Sequence, residues 1–125
     1  MTQIIAVGIG GFLGAIARHG ISSTITKYAS GPFFWGTLSV NIIGSFCMGL
    51  MAFSFQHKAY TDPLRLFIAV GFLGALTTFS TYSLEAVSLF KSGNMKLALL
   101  HIVAHNVTCI SCVMLGWFAM KGICR

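Results

Sequence analysis

The stretch that decides the reading is Gly71-Phe72-Leu73-Gly74-Ala75-Leu76-Thr77-Thr78-Phe79-Ser80-Thr81-Tyr82-Ser83-Leu84-Glu85. Six of the seven residues from Thr77 to Ser83 carry a hydroxyl. All of it but the closing Glu85 lies in a charge-free apolar segment, residues 66–84. A membrane-crossing helix needs about 20 mostly apolar residues, and a span over residues 64–90 has its midpoint near Thr77. The most polar run of the chain is therefore expected near the bilayer centre. Two glycines and several β-branched or hydroxyl residues weaken a helix there. Non-helical backbone at that depth is tolerated only inside protein or beside a polar cavity, and broken helices expose carbonyls and amides that bind ions. The alternative is that the Ser and Thr hydroxyls bond back to their own helix.

The rest of the chain agrees with a membrane setting. Of 125 residues, 56% are apolar and 8% are charged, against about 25% charged in a soluble domain. That is too little charge for a soluble coat and too little polarity for disorder. Residues 2–17, 28–57 and 97–120 are also free of Lys, Arg, Asp and Glu. Four spans fit, over residues 3–26, 34–56, 64–90 and 96–121, and a fifth does not. The expected class is an all-α membrane protein with four transmembrane helices, its third helix broken near the bilayer centre, forming one domain over residues 1–125. Turn signals at Gly31-Pro32 and Gly93-Asn94, and a helix start at Asp62-Pro63, separate the spans.

The N-terminus, Met1-Thr2-Gln3, has no cationic start and reads as the beginning of a permanent span, not a cleaved leader. The net charge of +6 does not mark a nucleic-acid binder. The basic residues stand singly at span ends, where cations meet lipid headgroups. With four spans, Lys58, Arg65, Lys121 and Arg125 fall on one side, and Arg18, Lys27, Lys91 and Lys96 on the other. Four against four selects no orientation. Either other factors decide, or the chain inserts both ways. Four short helices alone hardly enclose a selective pore, so assembly is expected, and insertion both ways would permit an antiparallel dimer.

Several residues stand out individually. Gly10-x-x-x-Gly14 is a close-approach pattern in span one, which also holds Arg18, a guanidinium that must snorkel, pair or face a watery cavity. Asn41 in span two either bonds a neighbouring helix or lines a permeation path. If the third helix resumes after its break, Phe79 neighbours Tyr82 and Ser83, Ser80 neighbours Ser83, and Thr81 neighbours Glu85. Glu85 is the only acid outside the loops and so marks a cavity or pathway. In span four, His101, His105, Thr108 and Cys112 form one stripe, with Asn106, Cys109 and Ser111 beside it. The stripe reads as packing or pore lining in preference to a metal site, because no further acids or thiols complete one. The four cysteines read as small packing residues. No nucleophile-base set or phosphate loop suggests an enzyme.

These residues together resemble the Fluc (CrcB) family of fluoride ion channels. Gly10-Gly11 with Gly14 and Arg18 is similar to its first-span pattern, and Gly36-Thr37-Leu38-Ser39-Val40-Asn41 to its second-span signature. Gly71-x-x-Gly74-x-x-Thr77-Thr78-Phe79-Ser80-Thr81-Tyr82-Ser83-x-Glu85 resembles its highly specific third-span signature, and His105 holds a familiar place in the fourth. The resemblance implies a multi-pass protein of the plasma membrane (the bacterial inner membrane). It implies a fluoride-selective channel that exports fluoride passively and relieves its toxicity. The partners implied are the lipid bilayer, the fluoride ion and a second copy of the chain. The two copies form a dual-topology antiparallel homodimer with two pores and one structural sodium ion at its centre. Carried over, the sodium ligands are the backbone carbonyls of Gly74 and Thr77 from both subunits. The ion pathway maps to Asn41, Phe79, Ser80, Thr81, Tyr82, Ser83 and Glu85, with Arg18 in the vestibule. Two departures stand out: Tyr82 where the second ring is usually Phe, and Cys109 and Val113 where hydroxyls are expected. The rival reading is a proton-coupled small multidrug-type transporter using Glu85, although that acid sits late in its span beside a hydroxyl run.

Overall fold

The computed structural model describes residues 1–31 and 33–124. Pro32 of the expected turn and Arg125 of the charge count lie outside the described residues. Every regular element among the described residues is helical. In chain order these are α1 (Thr2–Tyr28), α2 (Trp35–His57), α3 (Asp62–Arg65), π1 (Leu66–Leu73), α4 (Gly74–Leu76), α5 (Phe79–Lys91) and α6 (Met95–Ile123). Four segments are long and apolar enough to cross a membrane: Thr2–Tyr28, Trp35–His57, Asp62–Lys91 and Met95–Ile123. Their ends fall within two residues of the expected spans.

Local chemistry sets the ends. Pro63 opens α3 in the first turn, where its missing N–H removes nothing. At the α5–α6 corner Gly93 adopts φ +79°, a left-handed conformation that glycine reaches without strain. The N–H groups of Gly93 and Asn94 close on the carbonyls of Phe90 and Leu89, at 3.1 and 3.0 Å.

Glycines bring the helices together. Gly10 and Gly14 of α1 lie against the backbone of π1, where Phe72 N and Gly71 Cα would stand 3.0 and 3.1 Å from a Cβ built on Gly10. Gly71 answers from the other side, with Val7 O at 2.8 Å from its own notional Cβ. The expected close-approach face of span one is thus real, and its partner is the third span. Gly49 of α2 and Gly116 of α6 make a second such contact, since a Cβ on either would run into backbone of the opposite helix. Much of the remaining surface is apolar, including Ile4, Phe12, Val107 and Phe118, as suits lipid in place of water.

Two features of the third span go beyond a plain helix. Residues 66–73 follow the wider π pattern, which nothing in the sequence announces. Pieces of π-helix recur at functional sites. Past Leu76, Thr77 (φ −84°, ψ 157°) and Thr78 (φ −149°, ψ 117°) are extended, and α-helix starts again at Phe79.

Candidate functional site

The extended pair Thr77–Thr78 is the centre of the site. Two residues of non-helical backbone in an apolar setting leave polar groups that need partners. Asn41 supplies them. Its Nδ2 donates to the Thr78 carbonyl at 3.1 Å, and its Oδ1 accepts from the Thr78 N–H at 2.8 Å. One side-chain amide thus replaces a helical turn, and both partners are buried. Gly44, one turn on from Asn41, leaves room for the Thr77 methyl group against α2.

Thr78 also caps α5. Its Oγ1 accepts from Thr81 N–H at 3.2 Å and donates to Thr81 Oγ1 at 2.9 Å. Ser80 Oγ lies 3.3 Å from the same hydroxyl. The upstream helix closes at Thr77, whose N–H and hydroxyl both donate to the Leu73 carbonyl, each at 3.1 Å. In a continuous helix, Thr78 N–H would serve the Gly74 carbonyl and Thr81 N–H the Thr77 carbonyl. Both donors are diverted, to Asn41 and to the Thr78 hydroxyl. The Gly74 and Thr77 carbonyls therefore lose their helical donors, as an oxygen-ligand cation site needs.

Two cavities meet at Thr78. One, of about 300 Å³, is lined by Asn41, Thr77, Thr78, Phe79, Tyr82 and His105, with Asn106, Cys109 and Val113 on its α6 wall. The other, of about 210 Å³, is lined by Arg18, His19, Ser22, Thr37, Thr78 and Thr81. Phe79 is 78% exposed at the open side of the first, while Tyr82 is buried. The two rings lie 5.3 Å apart, centroid to centroid. The phenol of Tyr82 finds a partner on α6, accepting from Asn106 Nδ2 at 3.0 Å.

The expected neighbours along α5 are partly rearranged. Ser80 and Thr81 turn to Thr78, the capping hydroxyl, and not to Ser83 or Glu85. Glu85 accepts a hydrogen bond from Thr37 on α2 and faces His101 on α6 at 3.5 Å. The Ser83 hydroxyl donates to the Phe79 carbonyl at 2.9 Å, and Ser80, Ser83 and Glu85 line neither cavity. Thr77 and Ser83 thus follow the back-bonding alternative, while Thr78, Ser80 and Thr81 form a cluster.

On α6, Cys109 and Val113 line the first cavity, as their places in the sequence pattern require. Thr108 does not compensate for them, because its hydroxyl donates to Ala104 O at 2.6 Å. All four cysteines are free thiols. Among the described residues no three His, Cys, Asp or Glu side chains gather as a metal site.

Sequence reasoning left four side chains out of the site: Thr37, Thr78, His101 and Asn106. Thr78 had a signal, as part of the hydroxyl run. Thr37 had one in its place before Asn41. For His101 and Asn106 only the polar stripe of span four hinted at a role.

Every regular element among the described residues is helical, and four segments are of membrane-crossing length, one of them interrupted beside a cavity; this arrangement defines a multi-pass membrane protein. Residues 5–117 match the family described as CrcB-like protein, Camphor Resistance (CrcB), and the chain belongs to that family. Among curated proteins, "Fluoride-specific ion channel FluC" of Magnetococcus marinus is 44% identical over 115 residues, covering 91% of this chain and 94% of the relative. Proteins of the same name from Hydrogenovibrio crunogenus and Hahella chejuensis are 44% and 43% identical. Those alignments cover 95% and 91% of this chain and 91% of each relative.

Proposed function

We infer that this chain is a fluoride channel of the plasma membrane that lets fluoride leave the cell passively and so relieves its toxicity. Family membership and the names of the relatives support this. The geometric observation that carries it is the gap at Thr77–Thr78, stitched to α2 by Asn41 and opening on a mostly apolar cavity in which the Asn41 and Asn106 amides, the threonine hydroxyls and two aromatic rings stand beside Met48, Ile110 and Val113.

Fluoride is small and strongly hydrated, so a pore must replace its water with donors at close range. Arg18, beside Thr37 and Thr81, draws the anion into the second cavity. The hydroxyls of Ser80 and Thr81 and the second N–H of the Asn41 amide can donate to it, and Ser83 would join them by releasing the Phe79 carbonyl. The ring edges of Phe79 and Tyr82 carry positive potential, and turned toward the route they would favour an anion weakly without trapping it. Glu85, held by Thr37, ends the polar route along α5. Larger halides are refused by the width of the path.

The working unit in this proposal is an antiparallel pair of identical chains with two fluoride routes. Three observations favour it. Charges are balanced four against four across the membrane. Phe79 is a large apolar ring 78% exposed at the mouth of the first cavity. Gly74 is exposed with only Ala69 O near its notional Cβ, which leaves space for a second copy. Across that two-fold axis, the Gly74 and Thr77 carbonyls of both subunits would hold one sodium ion. Bound there, it would supply positive charge at the dimer centre and tie the two gaps together.

The test is growth in fluoride of bacteria stripped of their own fluoride exporters. Expression of this chain should restore growth, and Phe79→Ile should abolish the rescue. No rescue by a well-expressed wild-type protein would contradict the reading.

A further inference from the structure

His101 is fully buried on α6, and its Nε2 stands 3.5 Å from Glu85 Oε2. Neither atom has a hydrogen-bond partner, and His101 Nδ1 has none either. The other carboxylate oxygen of Glu85 is already taken by Thr37. Buried polar atoms are almost always paired, so unpaired acid and base atoms facing each other call for an explanation. One proton placed between Nε2 and Oε2 satisfies both, with a small closure to charge-assisted distance.

We propose that His101 is a positioning residue for the fluoride route: it shares one proton with Glu85 and thereby sets whether the carboxylate there is charged. This rests on the fluoride reading above. The proton comes from water and returns to it, and no other bond changes.

The surroundings restrict the choice of partner. The rings of Phe33 and Phe34 meet His101 edge-on, at 5.5 and 5.7 Å between centroids. From α5 come Glu85 and the Tyr82 ring, stacked at 5.4 Å. Its own helix adds His105, with ring centroids 4.2 Å apart; His105 Nδ1 is occupied by the His101 carbonyl, and its Nε2 is unpartnered. From α2 the facing group is Thr37, which carries no charge. Arg18 and His19 of α1 line the cavity that Thr37 borders. Of these, only Glu85 offers His101 an unpaired acidic oxygen.

The sign follows from charge. Without the shared proton, Glu85 is an acceptor-only carboxylate that repels fluoride. With it, the pair is neutral and the repulsion is gone. Flux should therefore rise as pH falls.

The experiment is fluoride efflux from vesicles between about pH 8 and pH 6, the range in which a histidine ordinarily titrates, with the leak of protein-free vesicles subtracted. Wild type should gain about threefold or more over that range, from a single proton uptake. His101→Gln, which keeps a donor but takes up no proton, should flatten the profile. A His101→Gln profile that superimposes on wild type, or a pH response that vanishes in His105→Gln and not in His101→Gln, overturns the proposal. A second readout needs no flux. The ¹⁵N signals of His101 in lipid should titrate, and Glu85→Gln should move their midpoint by about one pH unit or more. An unmoved midpoint is equally fatal. Wild-type vesicles that pass no fluoride would defeat the channel reading, while the nitrogen spectrum still decides the shared proton.

Discussion

Asn41 does the work of a helical turn with a single amide, so its chemistry is tightly specified. In Asn41→Asp the acceptor toward Thr78 N–H remains, but the donor to the Thr78 carbonyl becomes an oxygen. A buried acceptor left facing an oxygen costs about 1–3 kcal/mol. The expected result is a lower thermal midpoint in detergent, together with a clear fall in fluoride efflux because the brace across the Thr77–Thr78 gap is lost. Unchanged efflux would remove Asn41 from the path. Tyr82→Phe is the milder change. It keeps the ring and loses the 3.0 Å bond from Asn106, worth about 1 kcal/mol. Efflux should stay close to wild type because the ring is kept, and a large fall would give the phenol itself a part in conduction. At this scale, the importance of Asn41 was legible because a strong amide in an apolar span must be satisfied. Its partner was not, since 37 residues separate it from Thr78 and no local pattern links them.

The third span shows how far an element can be read ahead of its structure. The non-helical pair falls where hydroxyls and glycines cluster, and that cluster is plain in the sequence. The π stretch over Leu66–Leu73 was not legible, because an almost uniformly apolar run has no phase from which to read a period. The rearrangement of Ser80 and Thr81 was hidden for a different reason: capping by Thr78 exists only once the helix restarts at Phe79. Thr78→Val should remove the cap at a cost of about 1 kcal/mol and free Thr81, with lowered efflux as the functional readout. Helix contacts make a sharper prediction. Gly49→Ala places a methyl group against the α6 backbone, and overpacking of this kind costs about 1–3 kcal/mol. Gly8→Ala meets nothing within 4 Å and gains about 1 kcal/mol in helix propensity. Melting followed by gel filtration should show the first destabilised and the second not; equal behaviour would refute the close-packing account of α2 and α6.

For the whole molecule, the proposed pairing of two copies is the central issue. The balanced charge behind that proposal was legible in the sequence, whereas the exposure of Gly74 and Phe79 emerges only from the fold. Gly74→Ala probes that contact selectively. Within one chain the added methyl group has only Ala69 O near it, at 3.5 Å, an ordinary contact. The monomer should therefore keep its fold while the dimer weakens, read as a loss of mass in light scattering. A Gly74→Ala protein that stays fully dimeric would move the interface elsewhere. The most direct check on the account as a whole is ion efflux from vesicles holding only this protein and lipid, followed with fluoride and chloride electrodes side by side. Fluoride should empty rapidly through the wild-type protein while chloride stays inside. Equal release of both ions, or retention of fluoride, would contradict it.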